Sequence, residues 1–217
     1  MSKELLSQIS QSLVDGDPDL TDSLTRDALA AGLEPLTIIR EGLMPGMNIV
    51  GDYFAKGDYF LPDLIIAAEG MKRAMEFLEP ELRARQQALE TPGTIVIGTV
   101  KGDIHEIGKS LVATMLSANG FKVFDLGVDV PTQSFIAKIR ETDANLLGLS
   151  ALLTTTMTMQ REVIKALDAE GLRGKVKVMV GGAPVTKSWA EEIGADGYSE
   201  DAMGAVQLAK QLVGKTA

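Results

Sequence analysis

At 217 residues the chain has room for one large domain or two small ones. A formal charge of −9, with Lys and Arg scattered rather than clustered, argues against a nucleic-acid or anionic-membrane surface. The lack of cysteine excludes disulfides, thiol catalysis and thiolate metal sites, and the single histidine excludes common zinc sites and any Ser-His-Asp triad away from His105.

The opening residues, MSKELLSQIS, lack the apolar core of a signal peptide. No apolar run approaches the roughly 18 residues of a membrane span, so a soluble cytoplasmic protein is expected. Residues 1–89 read as helices. Segments near 3–15, 20–31 and 35–52 are punctuated by Gly16, Pro18, Gly32 and Pro35. From Leu64 onward, Ala68, Met71, Met75, Leu78 and Leu82 follow the steps of an apolar helical stripe, and Pro62-Asp63 suits a helix start. A four-helix bundle is the predicted packing. Between these helices GDYFAKGDYFLP (51–62) gathers four of the chain's ten aromatics, Tyr53, Phe54, Tyr59 and Phe60. Taken alone, that cluster reads as bundle core. Around residues 80–93 the pattern lapses into polar sequence ending in Thr91-Pro92-Gly93, which is taken as the boundary between a domain of 1–89 and one of 90–217.

From Thr94 the period changes. TIVIGT (94–99), KVFDLG (122–127), NLLGLS (145–150) and KVMVGG (177–182) are short apolar runs suited to buried parallel strands. Amphipathic segments near 108–119, 132–142, 156–170 and 185–193 separate them, and a weak fifth strand near 195–199 precedes a last helix at 201–213. This alternation predicts a doubly wound, five-stranded parallel α/β sheet of the Rossmann or flavodoxin-like kind. In such sheets ligands bind beyond the carboxyl ends of the strands, where strand order reverses. With order 2-1-3-4-5, the loops after strands one, three and four would line one crevice.

Those loops carry the unusual residues: Gly102-Asp103-Ile104-His105-Glu106-Ile107-Gly108, then Ser150-Ala151-Leu152-Leu153-Thr154-Thr155-Thr156, then Gly181-Gly182. Gly108-Lys109-Ser110 resembles the end of a phosphate-binding P-loop, but Asp103 stands where that motif needs its first glycine. A receiver would need a phosphoacceptor Asp where strand three ends in Ser150. Asp103 and His105 flank one residue, so the carboxylate could accept from one ring nitrogen and orient the other toward a metal. By itself Asp-x-His fits a surface or capping pair equally well, and Gly181-Gly182 fits a simple strand-to-helix turn.

Together, Asp103-x-His105-x-x-Gly108, Ser150-x-Leu152 and Gly181-Gly182 resemble the signature of cobalamin-binding domains that use histidine as the lower axial ligand. The N-terminal half resembles the helical cap of cobalamin-dependent methionine synthase and of the small corrinoid proteins of methyltransferase systems. The resemblance implies cobalamin bound base-off and His-on, with His105 on cobalt, and Asp103 and Thr156 forming a relay behind it. Gly102, Ile104, Glu106 and Gly108 would complete the loop against the cofactor. Ser150, Leu152, Thr154, Gly181 and Gly182 would line the slot for its nucleotide tail, with Ala202 near the far wall. Phe54, Leu61 and Leu64 of the cap would cover the upper face of cobalt. It further implies a methyl carrier cycling between cob(I)alamin and methylcob(III)alamin. One partner methyltransferase would act on a donor such as a methoxylated aromatic, methanol, a methylamine or glycine betaine. A second would deliver the methyl to tetrahydrofolate or a thiol, and a reductive activase would restore the cofactor. The alternatives are a cobalamin-based sensor or regulator, the small subunit of an adenosylcobalamin mutase, or a binding module without cobalamin.

Overall fold

The computed structural model describes residues 2–85 and 91–214, and the chain divides into two compact units, Met1–Glu90 and Thr91–Ala217. The first unit is helical: α1 (Ser2–Val14), α2 (Pro18–Ala30), a short α3 (Pro35–Thr37), a π-helical segment (Ile38–Leu43), α4 (Met44–Lys56) and α5 (Leu61–Ala84). The run from Pro35 to Lys56 is continuous, so the unit is a bundle of four helical rods. Asp17 begins α2 by accepting from the Leu20 N–H at 2.9 Å, with Pro18 at the first position, where its missing N–H costs nothing. Asp63 closes the start of α5 by accepting from the Phe60 N–H at 2.7 Å.

The core of this unit differs in two places from the predicted stripe. Along α5 the buried residues are Leu64, Ala67, Gly70, Met71, Ala74, Leu78 and Leu82, whereas Ala68 and Met75 are only partly covered. Small residues face the bundle because neighbouring helices lie close. A Cβ on Gly70 would sit 3.0 Å from Leu13 Cδ2 and 3.3 Å from Thr21 Oγ1. The helix also continues through Pro80 to Ala84, past the predicted onset of the polar lapse. The Glu76 carbonyl that loses its donor to Pro80 belongs to an exposed turn, where water can replace it. Residues 86–90 of the predicted boundary lie outside the described residues.

The second unit is a parallel sheet of β1 (Thr94–Thr99), β2 (Lys122–Asp125), β3 (Leu146–Ser150), β4 (Lys177–Gly181) and β5 (Gly197–Tyr198), in the order β2-β1-β3-β4-β5. It alternates with α6 (Ile107–Ala118), α7 (Thr132–Thr142), α8 (Met157–Ala169), α9 (Lys187–Ile193) and α10 (Ala202–Leu212). Side chains alternate across each strand, so Val96, Leu147, Leu149, Val178 and Val180 pack on Phe135, Ile139, Val163, Ile164, Leu167 and Ile193. Ile95, Ile97, Leu146 and Met179 point to the opposite face, which α6 and α10 cover. Gly120 and Gly171 take left-handed φ of 84° and 66° at the ends of α6 and α8, as their positions in the sequence require. Strand order reverses at β1 and β3, so the carboxyl ends of these adjacent strands form the switch point.

Candidate functional site

β1 delivers the chain to a turn, Lys101–Glu106, before α6 begins at Ile107. Asp103 lies at the base of this turn and is fully buried. A carboxylate with no solvent must find donors in the protein, and this one finds five. One oxygen accepts from His105 Nδ1 at 2.7 Å and from the His105 backbone N–H at 3.1 Å, while the other accepts from Thr156 Oγ1 at 2.6 Å and from the backbone N–H of Leu152 at 2.7 Å and Leu153 at 3.3 Å. Burial pushes the Asp103 carboxyl up. The hydrogen bonds from Thr156, His105 and Leu152 outweigh it and hold the group well below the ordinary carboxylate range. Asp103 is therefore an anion at neutral pH. Its partner Nδ1 must carry a proton, so in the neutral imidazole the lone pair lies on Nε2.

The His105 side chain is 46% exposed, and among the described residues nothing is hydrogen-bonded to Nε2. The ring is thus anchored at its back and open at its front. Four aliphatic side chains stand exposed in or next to the same two loops: Ile104 and, at the start of α6, Ile107, which flank His105 in sequence, and Leu152 and Leu153, whose N–H groups meet the Asp103 carboxylate. Thr156 is buried at the threshold of α8; its hydroxyl, whose one proton goes to the nearer Asp103 carboxylate, also lies 2.9 Å from the Leu153 carbonyl, and its backbone N–H closes the 153–156 turn on that carbonyl at 3.0 Å. Asp103, His105, Leu152 and Thr156 are therefore brought together by direct hydrogen bonds. Ser150 and Gly181 sit side by side at the ends of β3 and β4.

Gly102, Ile104, Glu106, Gly108 and Thr154 occupy exposed loop or first-turn positions. At Gly182, with φ of +125°, a Cβ would lie 1.8 Å from the Ala151 carbonyl oxygen, so the chain's own backbone demands glycine there. Ala202 is buried at the start of α10. Phe54 and Leu61 are partly exposed and Leu64 is buried, all three in the helical unit.

Several residues at this end of the sheet escaped the sequence reading. The Thr99 hydroxyl donates to the His105 carbonyl at 2.9 Å, and Asp129 accepts from the Gly102 N–H at 2.7 Å. Gln160 is fully buried and spans the strand ends. Its amide donates to the Leu149 and Gly181 carbonyls at 3.0 and 3.2 Å, and its oxygen accepts from Trp189 Nε1 at 2.9 Å. The Lys109 ammonium is buried against Asp125, the last residue of β2, and does not extend outward as a P-loop lysine would. Gln160 and Lys109 did leave a signal. Each is a polar residue on an otherwise apolar helical stripe: Gln160 with Val163, Ile164 and Leu167, Lys109 with Ala113 and Leu116.

Comparison with known proteins gives the class to which this geometry belongs. A family described as B12 binding domain matches residues 93–207, and another with the same description matches residues 5–79. The chain belongs to the B12-binding corrinoid proteins of methyltransferase systems. It is 48% identical over 214 residues to dimethylamine corrinoid protein 1 of Methanosarcina mazei, covering 98% of each chain. It is 44% identical over 216 residues to a corrinoid protein of Desulfitobacterium hafniense, covering 99% of this chain and all of that one. The methanol:cobalamin methyltransferase complex MtaBC from Methanosarcina barkeri contains a chain that superposes with a TM-score of 0.89 at 32% identity, covering 99% of this chain and 81% of that one.

The residues present fit a corrinoid. Among the described residues no group of three or more His, Asp or Glu side chains could hold a metal ion. A macrocycle, which brings its own equatorial ligands, would need only one side-chain donor from the protein. One oriented imidazole among exposed aliphatic side chains is the donor set such a group requires. No described helix is long and apolar enough to cross a membrane.

Proposed function

We propose that the chain is a cytoplasmic methyl carrier whose His105 Nε2 is the lower axial ligand of a base-off cobalamin. The observation that carries this reading is the buried, five-fold hydrogen-bonded Asp103, which holds Nδ1 protonated and leaves Nε2 as the free donor. When bound, cobalamin supplies a cobalt centre that can take a methyl group from one partner enzyme and surrender it to another. The protein's own residues set the terms of that exchange. Asp103 fixes the orientation and tautomer of the imidazole through Nδ1, and Thr156 donates to the opposite carboxylate oxygen. A proton arriving at or leaving the Thr156–Asp103–His105 chain would bias His105 between ligation and release.

The exposed Ile104, Ile107, Leu152 and Leu153 give the macrocycle an apolar seat that excludes water beside the imidazole. In this reading Ser150, Thr154, Gly181, Gly182 and Ala202 border the nucleotide tail, and Gly102, Glu106 and Gly108 lie along the loop. The role of Phe54, Leu61 and Leu64 as an apolar cover of the other cobalt face rests on the family resemblance alone. The partners in this reading are a donor-specific methyltransferase, a second methyltransferase acting on tetrahydrofolate or a thiol, and a reductive activase. The methylamine and methanol systems named for its relatives are the first donors to try.

The test is transfer of isotopically labelled methyl groups. Reconstituted protein is reduced anaerobically and mixed with candidate methyltransferases, each supplied with its donor: methanol, methylamines, glycine betaine or a methoxylated aromatic. Label should become protein-bound with one partner and be released on adding the second enzyme and its acceptor. A chain that binds cobalamin but acquires label from none of them would favour the sensor reading.

A further inference from the structure

The turn that carries Asp103 and His105 has no regular structure of its own between β1 and α6, yet both side chains must be aimed at once. One side of the turn is held by the Asp103 carboxylate itself, through Thr156 and the Leu152 and Leu153 N–H groups. The opposite side is held by the loop between β2 and α7. There Asp129 accepts from the Gly102 N–H through Oδ1 at 2.7 Å, and its own N–H donates to the Asp103 carbonyl at 2.9 Å. The two bonds form a reciprocal clamp on consecutive residues, Gly102 and Asp103. Thr99 completes the brace: its N–H donates to the Gly127 carbonyl, its carbonyl accepts from Val130, and its hydroxyl reaches His105.

Asp129 is exposed and left-handed, with φ of 53°. Glycine would adopt that backbone at no steric cost, so what aspartate adds there is its carboxylate. That carboxylate ends on the residue preceding the buried anion. We propose that Asp129 is a positioning residue for His105, holding the Gly102–Asp103 backbone so that Asp103 engages Nδ1 and leaves Nε2 free. This inference rests on the reading of His105 as the axial ligand.

Two variants separate the side chain from the backbone. Asp129→Asn keeps an Oδ1 acceptor and tolerates the left-handed conformation, whereas Asp129→Gly keeps the conformation and loses the acceptor. Because the chain has one histidine, the imidazole ¹⁵N shifts of cofactor-free protein report the His105 tautomer without ambiguity. Wild type and Asp129→Asn should show the Nδ1–H tautomer, and Asp129→Gly a mixture. With hydroxocobalamin, Asp129→Gly should bind about ten-fold more weakly, the low end for loss of a supporting partner, and should lose part of the His-on spectrum. Far-UV circular dichroism confirms that each variant is folded. An Asp129→Gly protein matching wild type in tautomer and affinity would overturn the proposal, as would an Asn variant that behaves like the Gly variant. If wild type binds no corrinoid, the axial-ligand reading fails, and the tautomer comparison still decides whether Asp129 positions His105.

Discussion

Thr156→Val removes one hydroxyl from behind the His105 site and preserves side-chain shape, so its effect can be worked out bond by bond. The lost bond is the 2.6 Å contact to a fully buried carboxylate oxygen of Asp103. A hydrogen bond to a charged group contributes about 1.5–3 kcal/mol. The same oxygen keeps the Leu152 N–H at 2.7 Å and the longer Leu153 N–H at 3.3 Å, so it is not orphaned. The Leu153 carbonyl, 2.9 Å from the same hydroxyl, keeps the Thr156 and Met157 N–H groups at 3.0 and 3.1 Å. The expected destabilisation at pH 7 is therefore about 2 kcal/mol, in the lower part of that range.

The pH dependence carries the sharper test. Burial raises the Asp103 carboxyl, but hydrogen bonds from Thr156, His105 and Leu152 outweigh it and depress the group in the folded protein. A depressed carboxylate contributes stability that is full above its unfolded value, about 4, and is lost as pH falls through the folded value. Thr156→Val moves the folded value back toward the ordinary range, and the unfolded value is common to both proteins, so the gap between them should stay constant down to the variant's folded value and narrow only as pH falls through it. Urea unfolding of cofactor-free wild type and variant at pH 7 and at steps downward, for as long as both remain folded, measures both quantities. A loss that stays the same even where the variant's Asp103 has become protonated in the folded protein would place the effect in packing rather than in the Asp103 anion. A loss under about 0.5 kcal/mol at pH 7 would refute the hydrogen-bond account.

Gly182→Ala should destabilise by about 3 kcal/mol, because its Cβ would lie 1.8 Å from the Ala151 carbonyl at a φ of +125°. A Tm within a degree or two of wild type would contradict that contact. Gln160→Leu should cost about 2–3 kcal/mol, by leaving Trp189 Nε1 and the Leu149 and Gly181 carbonyls short of a partner. Urea titration gives the cost, and a fluorescence change at the single Trp should accompany it.

The sheet was legible because its strands are buried on both faces, and continuous apolar runs separated by amphipathic helices have few other readings. α7 falls at the predicted 132–142, and the strand order is the one expected. The helical unit was less legible. Along α5 the sequence offers two adjacent apolar lines, one through Ala68 and Met75 and the other through Ala67, Gly70 and Ala74, and the second is the buried one. Close helix approach selects the small residues, and no pattern of hydrophobicity records it. The π-helical segment was likewise hidden. It precedes Pro45, whose missing N–H and bulky ring disturb the carbonyl one turn back, and the widened turn absorbs that conflict.

At the site, the Asp103–His105 pair could be read from local spacing and the rest of the brace could not. Thr156 was assigned through the resemblance, and its 2.6 Å bond to Asp103 spans 53 residues. Asp129 reaches across 27 residues and looks, in sequence, like any loop aspartate before Val130-Pro131.

The most direct measurement is the absorption spectrum of purified protein reconstituted with hydroxocobalamin, wild type beside His105→Ala. Wild type is expected to retain the corrinoid through gel filtration and to show a base-off, His-on spectrum, which His105→Ala loses. If the variant gave the same spectrum, another ligand would have to hold cobalt. If wild type retained no corrinoid, axial ligation by His105 would be contradicted outright.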